Sequence, residues 1–449
     1  MEVLGPLFPL LIAAIGGSVA YLVASFRRQS QLAAWRLVAQ RIGLCDIVVS
    51  SGSLFSGASL EGETGNLHLR LESYRRGKYE RGTRIVVSGL GHGSGGLSLR
   101  REGLATAFEK NVIGEREIEI GDASFDEQFF IGGQAPMAFA VLGPEERQPL
   151  SELLRGGVSA GLGERVSVDA SLAGGRLEVR VKESGFSSAN RERLPALVER
   201  VLQVARPLVV GPDLATRIAA NLEREPSDGV RLKGLATLAR EFPGHPATRE
   251  RLRAALVDRS DEVRLRAATA LGDEGRDTLL ELVARDADDS FVARAVASLG
   301  EQLSEEGAGA TLRRALAAGV RRETALACLE HLRERGSVAS EALALQALRH
   351  EDGALAEAAA RALGRIGGVA AVGPLLEAGG RDRKGVCRQA IAEIQSRLPG
   401  AGAGQLSIAA GEAGALSLAD GEPGRLSLAE QPQQQAAASV PPPRARQRQ

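Results

Sequence analysis

Asp228-Gly229-Val230-Arg231-Leu232 returns 33 residues later as Asp261-Glu262-Val263-Arg264-Leu265, and each copy opens a run of helix-forming residues. A fixed period of roughly 20–50 residues marks a stacked array rather than one globular core. Aligned on their ends, the copies finish at Leu238, Leu271, Leu299, Leu329, Leu363 and Ile394, at intervals of 33, 28, 30, 34 and 31 residues. The helices stay constant and the loops vary. One small-residue column runs through the series as Gly234, Ala267, Ala295, Ala325, Ala359 and Ala390, suiting a place where two helices cross closely.

Asp261 reads as a helix N-cap, its carboxylate free to accept a first-turn backbone N–H. Val263, Ala267, Ala270 and Leu271 then form one apolar stripe at i, i+4, i+7 and i+8. Gly272 and Gly300 follow as helix stops. A second helical pattern intervenes each time, at Arg249 to Val257, Thr278 to Ala284, Leu312 to Ala317 and Glu341 to Leu348. Each unit is a helical hairpin that cannot bury its stripe alone, so neighbours must stack.

The pattern Asp-x-Val-Arg-x-x-Ala-x-x-Ala-Leu-Gly at 261–272 resembles the HEAT repeat, in the short variety also found in bilin lyases. The resemblance covers roughly residues 212–398 and implies an all-α superhelical solenoid that binds proteins. It further implies that Asp228, Arg231, Asp261 and Arg264 bond along the stack. The third copy keeps Asp289 but has Val292 in place of the arginine, and later copies lack both. A bilin-lyase-like enzyme is the alternative that the same resemblance raises.

With 449 residues, a prior of about 150 per domain suggests three units. The 56 basic residues balance 56 acidic ones, so no global field draws in nucleic acid or anionic lipid. The basic residues are nearly all Arg, which beside abundant Ala, Gly and Leu reads as the coding bias of a GC-rich bacterial genome. Cys45, Cys328 and Cys387 are widely separated and have no metal-ligand spacing.

No charged side chain lies between Val3 and Phe26, and Arg27-Arg28 follow directly. Twenty-odd helical residues span roughly the 30 Å of a hydrocarbon core. Ser18-Val19-Ala20 resembles a signal-peptide cleavage site, but Met1-Glu2 supplies no basic leader and the apolar run continues past it. Residues 1–28 are therefore expected to be a retained transmembrane anchor in a bacterial inner membrane. Arg27, Arg28, Arg36 and Arg41 place the rest of the chain in the cytoplasm; a cleaved or inverted segment would make this an envelope protein instead. Residues 29–43 read as a juxtamembrane helix with Leu32, Trp35, Val38, Ala39 and Ile42 on one face. Trp35 would dock it onto the next domain.

Across 44–210, alternation replaces helical periodicity, as in Leu67-His68-Leu69-Arg70-Leu71, Arg84-Ile85-Val86-Val87, Leu97-Ser98-Leu99-Arg100 and Arg176-Leu177-Glu178-Val179. Helices are expected from Pro144 to Leu154 and from Asn190 to Ala205, making an α+β domain with an antiparallel sheet. The glycine-rich stretch 89–96 lacks the Lys-Ser/Thr and the following helix that a phosphate loop needs. Asp122, Asp126 and Glu127 read as a turn with side-chain caps rather than an acid/base pair or calcium loop. The five histidines never pair at helical spacing, and aromatic residues at 3% leave little for base stacking. Neither a catalytic residue nor a cofactor or metal site is expected, and nucleic acid is not an expected partner.

From Pro399 the composition shifts to Gly, Ala, Gln and Pro, and a disordered low-complexity tail is expected over 399–449. Within it Leu406-Ser407-Ile408-Ala409 recurs as Leu416-Ser417-Leu418-Ala419 and Leu426-Ser427-Leu428-Ala429. Two readings stand: tandem drift, or three copies of a short linear motif that adds a strand to a partner's sheet edge. The whole reads as a membrane-anchored, non-catalytic scaffold for an unidentified protein partner, bound to the membrane through residues 3–26.

Overall fold

In the computed structural model, the described residues are 7–50, 58–76, 80–90, 97–101, 117–155, 157–159, 165–182, 189–317, 321–380, 385–397, 406–408 and 416–418. The chain divides into two compact units, Met1–Thr278 and Leu279–Gln449.

The first unit opens with helix α1 (Leu7–Ile42) and an antiparallel sheet of β1 (Cys45–Ser50), β2 (Ser59–Thr64), β3 (Leu67–Arg76), β4 (Glu80–Ser88), β5 (Ser98–Arg101), β6 (Phe129–Gly132), β7 (Gly157–Ser159), β8 (Arg165–Ala173) and β9 (Arg176–Lys182). The strand order is β1-β2-β3-β4-β9-β8-β5-β6, with β7 beside β8. Period-2 alternation sends Leu60, Leu69, Leu71, Ile85, Val87, Leu177 and Val179 to one buried face. The other face carries ion pairs: across strands, Arg70 meets Glu61 at 3.2 Å, and Arg84 meets Glu72 and, at 3.8 Å, Glu178; along single strands, Arg70 meets Glu72 at 3.2 Å and Arg180 meets Glu178 at 2.6 Å. Opposite charges on neighbouring strands hold register on a wet face, each pair adding a few tenths of a kcal/mol, roughly 0.2–1.

Among the described residues, four helices belong to this sheet domain: α2 (Ala123–Asp126), α3 (Ala135–Val141), α4 (Pro144–Leu154) and α5 (Ala189–Ala205). The two longer ones, α4 and α5, lie where alternation gives way to helical spacing, with Pro144 at the first turn. The short α2 and α3 carry too few residues for a period to show. Trp35 is fully buried with Val38 and Ala39, and α1 packs against α5 and β2 through this end. No helix among the described residues is long and apolar enough to cross a membrane. Of the expected anchor at 3–26, residues 3–6 are not described, residues 7–26 form the start of α1, and of the side chains there only Ser18, Leu22, Ser25 and Phe26 are described. The glycine-rich stretch at 91–96 also lies outside the described residues.

The helical repeats begin in the same unit with α6 (Leu214–Glu223), α7 (Asp228–Glu241), α8 (Pro246–Ala255) and α9 (Asp261–Leu271); α10 (Arg276–Ala284) spans the division. The second unit holds α11 (Asp289–Leu299), α12 (Glu305–Ala317), α13 (Arg322–Arg335), α14 (Glu341–Leu348), α15 (Gly353–Ile366), α16 (Val372–Gly379) and α17 (Val386–Arg397), then β10 (Leu406–Ile408) and β11 (Leu416–Leu418). The helices α11, α13, α15 and α17 pack one on the next as a continuous layer, while α12, α14 and α16 form a second. Ala295, Ala325, Ala359 and Ala390 are buried within the first layer; in the first unit Gly234 in α7 and Ala267 in α9 are also buried. A Cβ on Gly234 would sit 2.4 Å from Leu222 Cδ2, which explains glycine in that copy.

Three sequence-based details change. Ser260, not Asp261, is the N-cap of α9, and Asp261 is the first residue inside the helix. The intervening helices start earlier than their apolar periodicity, at Pro246, Arg276 and Glu305, because capping and first-turn residues are polar. In the tail, expected to be disordered, β10 and β11 pair as an antiparallel ribbon; the Leu-Ser-Leu alternation suits a strand. The third copy, with Leu426 and Ser427, lies outside the described residues.

Candidate protein-interaction surface

Helix ends leave backbone N–H and C=O groups that intrahelical bonding cannot satisfy. In this chain acidic and Arg side chains from neighbouring hairpins fill that role. Arg231 forms a two-pronged pair with Asp258, both contacts at 2.8 Å, with both side chains buried. Its remaining terminal nitrogen donates to the carbonyls of Glu225 and Pro226 at 3.1 and 2.9 Å. Burial pushes the Asp258 carboxyl up, but Arg231 and the Ser260 N–H outweigh it and hold the carboxyl below its ordinary range.

The bonds of the other residues marked by the repeat echo include some within their own hairpins. Asp228 accepts from the Gly229 N–H at 3.1 Å, and Ser227 caps α7. Asp261 accepts from Arg264 at 3.4 Å one turn along, and Arg264 Nε donates to the Leu256 carbonyl at 3.0 Å. Asp289 acts between repeats: the N–H groups of Glu323 and Thr324 donate to its two oxygens at 2.7 and 2.9 Å. Burial raises the Asp289 pKa, but the Thr324 N–H, the Thr324 hydroxyl and the Glu323 N–H bring it below the ordinary value.

The same device recurs at residues the sequence pattern did not mark. Glu305 accepts from the Ser337 N–H and hydroxyl at 2.9 and 3.0 Å and from the Ser340 hydroxyl at 2.5 Å. Those bonds, led by the one from Ser340, lower its pKa. Glu341 accepts from the Gly368 N–H at 3.1 Å, and Arg322 meets Asp352 at 2.9 Å. A first-turn acid at the start of three intervening helices, Asp277, Glu305 and Glu341, was the available signal. It is inconspicuous because acids are common at helix starts anyway.

The first hairpins are tied to the sheet domain by a buried cluster that alternation and periodicity do not reveal. Arg147 pairs with Glu225 through two contacts of 2.8 Å and with Asp122 at 3.1 Å. Burial works against the Arg147 charge, but Glu225 and Asp122 together raise its pKa above the ordinary value. Beside it, Gly121 and Gly229 meet backbone to backbone: a Cβ on Gly229 would lie 2.4 Å from the Gly121 carbonyl oxygen. The carboxylates at 122–126 are spent on structure. Asp122 caps α2 at the Phe125 N–H, and Asp126 accepts from the N–H groups of Ile120 and Gly121 at 3.0 and 2.8 Å. Burial nonetheless raises the Asp126 pKa. Among the described residues, no group of three or more His, Cys, Asp or Glu is arranged to hold a metal ion.

With the polar bonds along the stack absorbed in capping, the outward side chains of the α11–α13–α15–α17 layer are what a partner would meet. This layer exposes charges of both signs, among them Arg294, Glu330, Arg361 and Glu393, one on each successive helix. Glu330 is held by Arg333 at 2.6 Å, and Arg333, with Arg361 contributing, keeps its carboxyl below the ordinary range. Arg294 lies over the Phe291 ring, 5.7 Å from its centroid.

Residues 306–394 match the family model for HEAT repeats. That stretch contains the later copies, which lack the Asp-x-Val-Arg signature, so it is the packing pattern that matches. No curated protein matches the chain.

Proposed function

We propose that this chain is a membrane-tethered, non-catalytic scaffold that holds a protein partner against the α11–α13–α15–α17 layer. The observation that carries this reading is the mixed set of exposed charges on four successive helices, Arg294, Glu330, Arg361 and Glu393 among them. A surface of mixed charge selects a partner by the placement of its charges rather than by net charge, in keeping with the zero formal charge of the chain. Helical repeats of this kind present extended binding surfaces. The tether is supported by the uncharged run Val3 to Phe26 and the arginines that follow it. It is also supported by Leu22 and Phe26, 64% and 67% exposed on the helix whose other end is buried at Trp35. Large apolar side chains left outside the domain suit a lipid surround, and the positive-inside bias points the domains to the cytoplasm of a bacterial cell.

The test is cross-linked capture from membranes, comparing the native chain with Arg294→Glu/Arg361→Glu, with and without residues 404–430. Capture of the same partner should fall about tenfold in the charge-reversed chain while its thermal melt is unchanged. Undiminished capture by that variant would sink the surface assignment, whatever the tail does. For the tether, a fluorescent protein fused after Gln449 should glow, and alkaline phosphatase at the same place should be inactive; the opposite result reverses the topology.

A further inference from the structure

The two described tail strands are copies of one motif, and they pair with each other. Their antiparallel register sets Leu406 opposite Leu418, Ser407 opposite Ser417 and Ile408 opposite Leu416. The motif is therefore its own complement: reversed, it presents apolar, serine, apolar to apolar, serine, apolar. A two-stranded ribbon is marginal in water, and a further strand on an outer edge is what stabilises such a ribbon. The strand that fits is another copy of the same sequence.

Proteins block unwanted edge pairing with charges or proline. The first copy has neither within it nor in residues 400–405 before it, and its one nearby charge, Glu412, stands four residues beyond Ile408. The later copies are more closely bracketed, by Glu412 and Asp420 and then by Arg425 and Glu430. Of the three, β10 has the least guarded edge.

We propose that β10 pairs through its outer edge with β10 of a second copy of this chain. The two strands run antiparallel about a two-fold axis at Ser407, so the tails join chains edge to edge. An isologous pair of this kind sets Ser407 opposite Ser407 and Leu406 opposite Ile408. It rests on the tail ribbon alone and stands or falls separately from the repeat surface.

Cross-linking of the full chain in detergent tests it, in a Cys45→Ser background where the remaining Cys328 and Cys387 are buried. Directly opposed residues of an antiparallel pair lie about 4.5–5.5 Å apart at Cα, within disulfide reach. Ser407→Cys should therefore give a covalent dimer on mild oxidation. Ser407→Cys/Ser417→Cys should also close within one chain, confirming the ribbon. Adding Ile408→Pro, which removes a backbone donor, should reduce the Ser407→Cys dimer at least tenfold. A cysteine at exposed Ala392 serves as the collision control. A monomeric Ser407→Cys chain overturns the proposal whether or not the double variant closes. So does a dimer that survives Ile408→Pro, or one that Ala392→Cys matches in yield.

Discussion

Asp289 caps a helix that begins more than thirty residues after it: the Thr324 N–H donates to its carboxylate at 2.9 Å, and the Thr324 hydroxyl donates to its backbone carbonyl at 3.2 Å. One residue thus opens its own helix, α11, and seals the start of α13 in the next hairpin. Asp289→Ala should destabilise the second unit by about 1–2 kcal/mol in urea unfolding, as the loss of a cap does. The carboxyl is held below its ordinary value near 3.9, so its contribution is fully present above that pH. It is lost as pH falls through the folded value. The gap between native and variant chains should accordingly narrow in acid.

Arg147 and Glu225 form the buried tie between the sheet domain and the first hairpin, with side chains 8% and 1% exposed. Removing one partner leaves the other charge buried and unpaired, so Arg147→Met alone should cost about 3–5 kcal/mol. The double variant Arg147→Met/Glu225→Leu should cost much less than the sum of the two single changes. A double-mutant cycle by denaturant unfolding checks this, and simple additivity would show the two to be energetically independent.

Ala359 sits fully buried in the small-residue column where α15 meets its neighbours. Ala359→Leu should overpack that crossing and cost about 1–3 kcal/mol. The neighbouring exposed Arg361→Leu should change stability by roughly 0.5 kcal/mol or less. Thermal melts of the two variants separate packing from composition.

Glu274 receives Arg253 at 2.6 Å and also meets Arg249, and these bonds pull its pKa down to about 2. A carboxylate-detected NMR titration should find its midpoint there, well below other exposed glutamates. With the folded value depressed, what the group adds to stability is present above the ordinary glutamate range and disappears as pH falls toward 2.

Cys45 is exposed, whereas burial pushes the Cys328 thiol up to about 12 and Cys387 is buried. In the native chain one thiol should react promptly with a disulfide reagent, and the other two only after unfolding. Thiol titration with and without denaturant reads this directly, and Cys45→Ser should abolish the fast phase.

Much of the fold was legible because it rests on short-range periodicity. The stripe at Val263, Ala267, Ala270 and Leu271 marked α9, and the alternation Leu67-Leu69-Leu71 marked β3, because side-chain direction repeats every 3.6 or 2 residues. Gly272 and Gly300, at φ of 59° and 45°, ended helices where expected, since that backbone conformation favours glycine. The candidate polar residues were harder. Asp261 reads as a cap, yet Ser260 holds that position, because a one-residue shift of a helix start leaves the apolar pattern unchanged.

The amino-acid order by itself determined an uncharged run at 3–26, an alternating sheet region, six helical copies with a small-residue column, and a tail of repeated Leu-Ser motifs. The sheet region and the helical copies are local patterns that burial of one face enforces. Only the tertiary structure decided that Arg231 meets Asp258 rather than an aspartate of the echo, that Asp289 and Glu305 cap the next hairpin, and that Arg147 anchors Glu225. Those partners lie 27 to 78 residues apart, and which loop reaches which helix end depends on how the hairpins stack. Long-range polar pairing follows from that packing geometry, which no spacing along the chain encodes.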